Sequence, residues 1–361
     1  MKNILYIGKY NGIIGGIERY MQKSAELLQR NGFSLHYRYI EEGGEGQGAF
    51  ASAFASIKKF TPHDELLKSC DMVILHNIIE VKYLKYLPVN KSFFFAHDHN
   101  IYCQRHHYYT PVGRSNCHRR YNKFVCRLCS LGRNPAPPLA EYRKFPALVL
   151  SDFMAENLCK NGFEKVVKLP AFIQTSEDEH SFMPEGVLRI LFLGQLIRGK
   201  GADLMLQALS MLDIPFECTI AGEGNDRQML EAMVEKFNLG EKVHFTGFVR
   251  EPEKLWANCD VFCFPVRWQE PFGLVGLEAM AHGIPTVAFD LGGVREWLKD
   301  GENGLLIPEK KIIALTGMLG TCGTAPKLLE RLGKRALELA KEKFSEGNFV
   351  NEFKNLAGSA L

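Results

Sequence analysis

Apolar positions along the chain come as short runs of strand length, separated by polar turns and by stretches of helical spacing. Asn3 to Gly8 is the first run, followed by a turn rich in glycine at Asn11-Gly12 and Gly15-Gly16. From Ile17 to Arg30 the apolar positions Ile17, Tyr20, Met21, Ala25, Leu27 and Leu28 follow helical periodicity. Asn31-Gly32 stops that helix with residues that tolerate a left-handed backbone, and Phe33 to Ile40 reads as the next strand. This order opens a parallel α/β sheet. Glu41 to Gly48 has four glycines and no apolar residue, which predicts a mobile surface loop. Met72 to Leu75 and Ser92 to Ala96 are further buried strands, and His97-Asp98-His99-Asn100 follows the latter. In open α/β sheets ligands sit beyond the C-terminal strand ends, so this polar cluster stands where a site would be. Ala147 to Leu150 resumes the sheet, and Ser151 is placed to cap a helix.

Gln174 to Gly186 is polar, with Thr175 to Glu179 in a row, and reads as a linker. A second α/β series follows. Strands are expected at Leu188 to Leu193, Phe216 to Ala221, Lys242 to Phe245, Asp260 to Phe264, Ile284 to Phe289 and Gly304 to Ile307. Helices are expected at Gly201 to Leu212, Asn225 to Phe237, Ala325 to Lys343 and Glu346 to Leu356. The pattern predicts two Rossmann-like α/β domains, 1–172 and 187–343, facing a central cleft, with a linker at 173–186 and a closing helix in 344–361. Residues from about 100 to 140 break the pattern and read as a Cys-rich insertion in the first domain.

Composition narrows the function classes. Of 361 residues, 46% are hydrophobic and 24% charged, which excludes a disordered chain. No apolar run reaches the ~18 residues of a spanning helix, and the short N-terminal apolar segment leads directly into a folded motif, so a cytoplasmic protein is expected. A net charge of +3 is too small for a dedicated nucleic-acid binder. Charge is uneven, however: Gln104 to Lys144 holds nine Lys or Arg against one acid, Glu141. Ten cysteines in such a chain do not suggest a disulfide framework, but four of them, Cys103, Cys117, Cys126 and Cys129, fall within 27 residues.

The stretch Glu270-Pro271-Phe272-Gly273-Leu274-Val275-Gly276-Leu277-Glu278 continues to His282-Gly283-Ile284-Pro285. Pro271 suits the first turn of a helix, Gly283 its end, and Pro285 prevents continuation. This places Glu270 just before the helix and Glu278 about two turns in. Amides near Phe272 to Leu274 would face an anion, and carboxylates would hold sugar hydroxyls. On spacing alone, a surface helix carrying two ordinary acids is the favoured reading.

The same stretch resembles the two-glutamate signature of retaining glycosyltransferases of family 4, the glycosyl transferases group 1, which have the GT-B fold. Leu193 to Gly201 (LGQLIRGKG) resembles that family's first strand and phosphate loop. Ala221-Gly222-Glu223-Gly224, Phe245-Thr246-Gly247-Phe248-Val249 and Gly292-Gly293-Val294-Arg295-Glu296 match further turns, and Gly15-Gly16 resembles its acceptor-side glycine loop. The resemblance covers nearly all of the second domain. It implies that 1–172 binds acceptor, that 187–343 binds nucleotide sugar, and that the terminal helix crosses back to the first domain. Glu278 is implied to bond the ribose hydroxyls, Glu270 to contact the donor sugar, and Lys200 to neutralise the diphosphate. Amides of Gly15, Gly16, Phe272, Gly273 and Leu274 are implied to hold sugar and phosphate oxygens, with Gly222 and Val249 on the nucleotide side. His97 matches the family's histidine near the transferred sugar. Many relatives carry Arg where this chain has Gln195, so Arg198 or Arg267 would have to supply that charge. Arg250 is a further candidate beside the base. No Asp-x-Asp motif is present, so no catalytic metal is expected. The resemblance implies retention by same-face attack, moving a hexose from a UDP- or GDP-sugar to a glycan or lipid-linked acceptor in polysaccharide, lipopolysaccharide or glycolipid assembly.

The spacing Cys103-x13-Cys117-x8-Cys126-x2-Cys129 offers four thiolates to a structural zinc ion. An iron–sulfur cluster uses similar ligands, and four unlinked thiols are the plain reading. Tyr108, Tyr109, Arg114, Arg119, Arg120, Tyr121, Lys123 and Phe124 mix charge with aromatic rings, and Lys58-Lys59-Phe60 and Lys82 to Tyr86 add more. Such a face suits peripheral contact with the inner face of the plasma membrane, and equally an ordinary solvated surface. Other readings are a nucleotide-sugar epimerase or phosphorylase on the same fold, or a zinc-stabilised nucleic-acid-binding protein.

Overall fold

The computed structural model describes residues 2–110, 115–132, 134–176, 180, 182, 186–249 and 251–359, the last without its side chain. Arg114, Arg250 and Glu177, Asp178 and Glu179 of the expected linker lie outside these residues. The chain divides into two compact units, Met1–Ala171 with Glu346–Leu361, and Phe172–Ser345.

Unit 1 is built on seven parallel strands: β1 (Lys2–Tyr10), β2 (Phe33–Glu41), β3 (Ser56–Lys59), β4 (Met72–His76), β5 (Ser92–Phe95), β6 (Ala147–Val149) and β7 (Val166–Lys168). Their order is β3-β2-β1-β4-β5-β6-β7. β1 is central, and Ile4, Leu5, Tyr6 and Ile7 are all buried, which is why it reads as an unbroken apolar run rather than an alternating one. The helix Gly16–Arg30 follows β1 and buries Tyr20, Met21, Leu27 and Leu28. Ser151 caps the helix Asp152–Lys160, its hydroxyl accepting from the Met154 amide at 3.1 Å. The terminal helix Glu346–Ser359 is part of this unit, and Phe353 sets its ring edge-on against Phe33 at 5.4 Å.

Unit 2 holds six parallel strands: β8 (Leu188–Leu193), β9 (Phe216–Ala221), β10 (Val243–Gly247), β11 (Val261–Phe264), β12 (Thr286–Phe289) and β13 (Gly304–Ile307). Their order is β10-β9-β8-β11-β12-β13. The buried carboxylate of Asp260 ties the starts of β8 and β11 together, accepting from the Arg189 amide at 2.8 Å and from its guanidinium at 2.6 Å. Both units are therefore Rossmann-like, as the GT-B expectation requires.

Two local expectations are corrected. The 41–48 stretch is not a free loop: Ile13 and Glu45 exchange backbone bonds at 2.8 and 2.9 Å, Asn11 accepts from the Gly43 amide at 2.8 Å, and Gln47–Ser52 is helical. Gly12 and Gly44 make this possible, since the two backbones meet with no room for a side chain. The helix expected from Pro271 begins later, at Leu274, and runs to Ala281.

Candidate functional site

In unit 2 the chain direction reverses its order between β8 and β11, and such a switch point opens a crevice beyond the strand ends. After β8 comes Gly194 to Ile197 and a tight turn at Arg198–Lys200. After β11 comes Pro265 to Glu270. These two segments meet. Lys200 Nζ lies 2.9 Å from Glu270 Oε2, and the same oxygen accepts from Trp268 Nε1 at 3.3 Å. The Lys200 ammonium also sits 5.6 Å from the Trp268 ring centre and 5.9 Å from that of Phe264, both electron-rich faces.

The backbone of Glu270 is held from behind. Its carbonyl accepts from the Gly293 amide at 2.7 Å, and a Cβ at Gly292 would fall 2.3 Å from that carbonyl oxygen. Close wrapping of this kind holds Glu270 and Pro271 outside the helix and delays its start. Gly273, in the left-handed region at φ 92°, then turns the chain into it. Glu278 is accordingly the fifth residue of the helix, about 6 Å along its axis from Leu274. That is just over one turn in rather than two, and the side chain is half-buried.

The loops after β8, β9 and β10 are laced by backbone bonds, from Gly194 to Ala221 at 3.0 Å, Leu196 to Glu223 at 2.9 Å and Gly222 to Gly247 at 2.8 Å. Gly222 and Gln195 are thus held beside each other, with half-buried Val249 two residues beyond β10. Gln195 and Arg198 are exposed. Arg267 cannot supply the missing charge: its buried guanidinium is paired with the Asp203 carboxylate and donates to the Arg198 carbonyl at 3.1 Å. Phe272 has a buried ring, so only its backbone is available at the site, and its carbonyl already accepts from Trp297 Nε1 at 2.7 Å. The sequence reading missed Trp268, Asp203 and Trp297. Only Trp268 carried a signal, its place two residues before Glu270.

In unit 1 the corresponding switch point lies between β1 and β4. Gly15 and Gly16 follow β1, with open space on both. The Gly15 amide, expected to hold a ligand oxygen, instead donates to Glu18 Oε2 at 3.0 Å. Glu18 is buried, and burial raises its carboxyl above the usual range against the pull of the Gly15 and Ile14 amides. His97 follows β5, stacked on Phe95 with ring centres 4.3 Å apart. Its Nε2 lies 2.9 Å from Nδ1 of His76, the last residue of β4. Burial pushes His97 down to about 3 and holds His76 well below its ordinary value, so both rings are neutral near pH 7. Asp98 and His99, whose nearness favoured a functional His97, shape the turn instead. Asp98 accepts from Asn77 Nδ2 at 2.7 Å and from the Asn100 amide at 2.9 Å, while buried His99 bonds the Tyr102 hydroxyl. His76 was not foreseen, because it reads as the tail of an apolar strand.

Cys103, Cys117, Cys126 and Cys129 line one cavity of about 30 Å³ together with Arg105, Tyr108 and Arg119. Among the described residues, no three or more His, Cys, Asp or Glu are already drawn together closely enough to hold a metal ion. None of the four is joined in a disulfide. Phe124, Leu128 and Leu131 are exposed at 83%, 77% and 64% on the helix Lys123–Cys129 and the turn after it. Phe60 and Leu84, by contrast, belong to the core of unit 1. Among the described residues no single helix is long and apolar enough to cross a membrane.

Over 99% of its length the chain matches the crystal structure of Anabaena HepE in complex with UDP and glucose, which it covers completely, at a TM-score of 0.76 and 17% identity. It is 32% identical over 176 residues to an uncharacterized glycosyltransferase of Methanocaldococcus jannaschii, covering 48% of this chain and 45% of that protein. It is 36% identical over 119 residues to the N-acetylgalactosamine-N,N'-diacetylbacillosaminyl-diphospho-undecaprenol 4-alpha-N-acetylgalactosaminyltransferase of Campylobacter jejuni, covering 33% of this chain and 32% of that one. The chain thus spans less than half the length of these curated relatives. Residues 174–338, the segment that carries Lys200, Glu270 and Glu278, match the family model described as Glycosyl transferases group 1.

Proposed function

We propose that the protein is a retaining glycosyltransferase that moves a hexosyl group from a UDP- or GDP-sugar to a glycan or lipid-linked acceptor in cell-surface polysaccharide or glycolipid synthesis. The observation that carries this reading is the Lys200–Glu270 pair at the switch point of unit 2, four residues before a helix start. An ammonium and helix amides stabilise a departing nucleoside diphosphate, whose charge grows as the sugar–oxygen bond breaks. Glu270 then serves the sugar and Glu278 the ribose. The bond from the anomeric carbon to the diphosphate oxygen breaks, the bond to the acceptor oxygen forms on the same face, and the acceptor proton passes to the departing diphosphate. Unit 1 is assigned to the acceptor, and His97, neutral, offers it a hydrogen bond rather than a charge. The likeness to HepE supports a uridine donor as the first to try, and the likeness to the Campylobacter enzyme supports a diphospholipid-linked acceptor.

Titration calorimetry of UDP and GDP on the wild type and on Glu278→Ala tests the reading. One nucleotide binds, and the variant binds it about tenfold or more weakly, the worth of a charge-assisted hydrogen bond. Equal affinity in the two proteins removes the ribose role, and absence of binding by both nucleotides removes the donor site.

A lipid-linked acceptor places the protein at the inner face of the plasma membrane. The bare apolar side chains Phe124 and Leu128 beside Lys123 and Arg127 support contact with anionic lipid. Vesicles containing phosphatidylglycerol are expected to sediment the wild type but release Phe124→Ser/Leu128→Ser. Equal sedimentation of both proteins would assign the contact elsewhere.

A further inference from the structure

The insertion poses a packing problem that the rest of unit 1 does not. Its two ends are well anchored, with Ile101, Tyr102 and Tyr108 on one side and Leu139 and Tyr142 on the other in the core. Among the described residues between 109 and 138, no hydrophobic side chain is buried. The two buried residues there, Asn116 and Ser130, are polar, and neither polar atom of the Asn116 side chain has a hydrogen-bond partner. With only Cys117 and Tyr121 packed part-buried against the core, a segment of this length recovers little of the entropy of ordering its backbone, about 1–2 kcal/mol per residue.

Yet the segment is arranged around a centre. Cys103 comes from the loop after β5, and Cys117 lies next to the Tyr109–Asn116 bridge. Cys126 and Cys129 share the less exposed face of the helix Lys123–Cys129, three residues apart. Phe124 and Leu128 take the opposite, exposed face. Three separate pieces of chain thus direct their thiols to one small cavity, while the helix turns its apolar side outward. Backbone amides are aimed at the sulfurs as well: Asn122 donates to Cys126 Sγ at 3.4 Å, and Arg105 and Tyr108 donate to Cys103. Amides directed at sulfur are the second shell that orients thiolate ligands.

We propose that Cys103, Cys117, Cys126 and Cys129 bind one zinc ion that fixes the insertion on unit 1. Four sulfurs at about 2.3 Å from the metal satisfy its tetrahedral preference, and a closed set of this kind is structural rather than catalytic. The sulfurs must draw inward to reach that distance, and the cavity between them gives room for one ion. Binding releases four thiol protons to solvent and leaves a net charge of −2 on the centre. Arg105 and Arg119, which line the same cavity, offset that charge. The inference does not depend on the transferase reading.

The test is metal content by atomic emission on the full chain expressed in zinc-supplemented medium, beside Cys126→Ser/Cys129→Ser. About one zinc per chain is expected in the wild type and none held stoichiometrically in the variant. Because the variant can fail to fold, the wild type is also stripped with a chelator and reloaded. Stripping should expose Arg119, Arg120 and Arg127 to trypsin, and zinc should restore protection. Cobalt in place of zinc should give the intense absorption of tetrahedral thiolate ligation. Native alkylation of all four thiols in a chain that holds no metal overturns the proposal. So do a disulfide among them by mass, iron with sulfide in place of zinc, or trypsin sensitivity that does not respond to zinc.

Discussion

At the scale of single residues, the site depends on groups whose charge is set by burial. His97 and His76 are both held below the ordinary histidine value of 6.5, His97 at about 3, because burial in the ring stack on Phe95 disfavours an imidazolium. The unfolded chain therefore binds more protons than the folded one between those values. Stability contributed by the neutral rings is full above pH 6.5 and is lost as pH falls toward 3. Glu18 and Asp98 carry raised carboxyls, mainly through burial, and act in the opposite sense nearer their own titration. The histidine effect is thus read between about pH 7 and pH 5. Urea midpoints over this range should fall with pH in the wild type and fall less in His97→Asn. An unchanged slope in the variant would mean that His97 titrates as in the unfolded chain.

At the scale of elements, the segment after β11 is positioned by a buried ion pair. Arg267 spans from its own strand end to Asp203 on the helix Ala202–Leu209 and to the Arg198 carbonyl, while its amide donates to the Gly199 carbonyl at 2.8 Å. These bonds set the turn that carries Lys200. Arg267→Met leaves the Asp203 carboxylate buried without its partner, which should cost about 3–5 kcal/mol in urea unfolding. Arg267→Met/Asp203→Leu should recover most of it, and a double variant no better than the single one would place the loss in packing. This pair was not legible in the sequence as a brace, since nothing in Arg267 or Asp203 alone says that they meet. The strands of both sheets were legible, because parallel strands buried on both faces read as apolar runs. β3 and β7 were not: they are the sheet edges, with half their residues or more exposed, and carry Lys58-Lys59 and Lys168. The helix start was misplaced for a tertiary reason. Pro271 is a fair first-turn signal, but Gly292 and Gly293 pack against the Glu270–Pro271 backbone and keep it out of the helix. Lys200 and Glu270 could be named from the sequence, and their 2.9 Å contact could not.

At the scale of the whole molecule, chain order and structural order differ at the C-terminus. The helix Glu346–Ser359 follows the last helix of unit 2 in sequence but completes unit 1. Besides the Phe353–Phe33 contact, Lys2 Nζ donates to the Ala357 carbonyl, and Glu346 pairs with Arg30 at 3.2 Å across an exposed edge. The ion pair is screened by solvent and adds little. The aromatic contact carries the attachment, since burying a phenylalanine is worth about 1.5–3 kcal/mol. Truncation after Ser345 should therefore destabilise unit 1 by several kcal/mol and leave unit 2 intact. The protein supplies its own reporter for this test. Its three tryptophans, Trp256, Trp268 and Trp297, all belong to unit 2 and its twelve tyrosines all to unit 1, whereas secondary structure is spread over both units. In the truncated chain, far-ultraviolet circular dichroism should show a new early phase in urea, while the tryptophan fluorescence midpoint stays where it is in the full chain. Nucleotide should shift the fluorescence transition upward in both chains by mass action, about 2.7 kcal/mol at a hundredfold excess over Kd. A fluorescence midpoint that falls with the truncation would make the helix a support of both units, and donor binding would then depend on an element outside the matched segment.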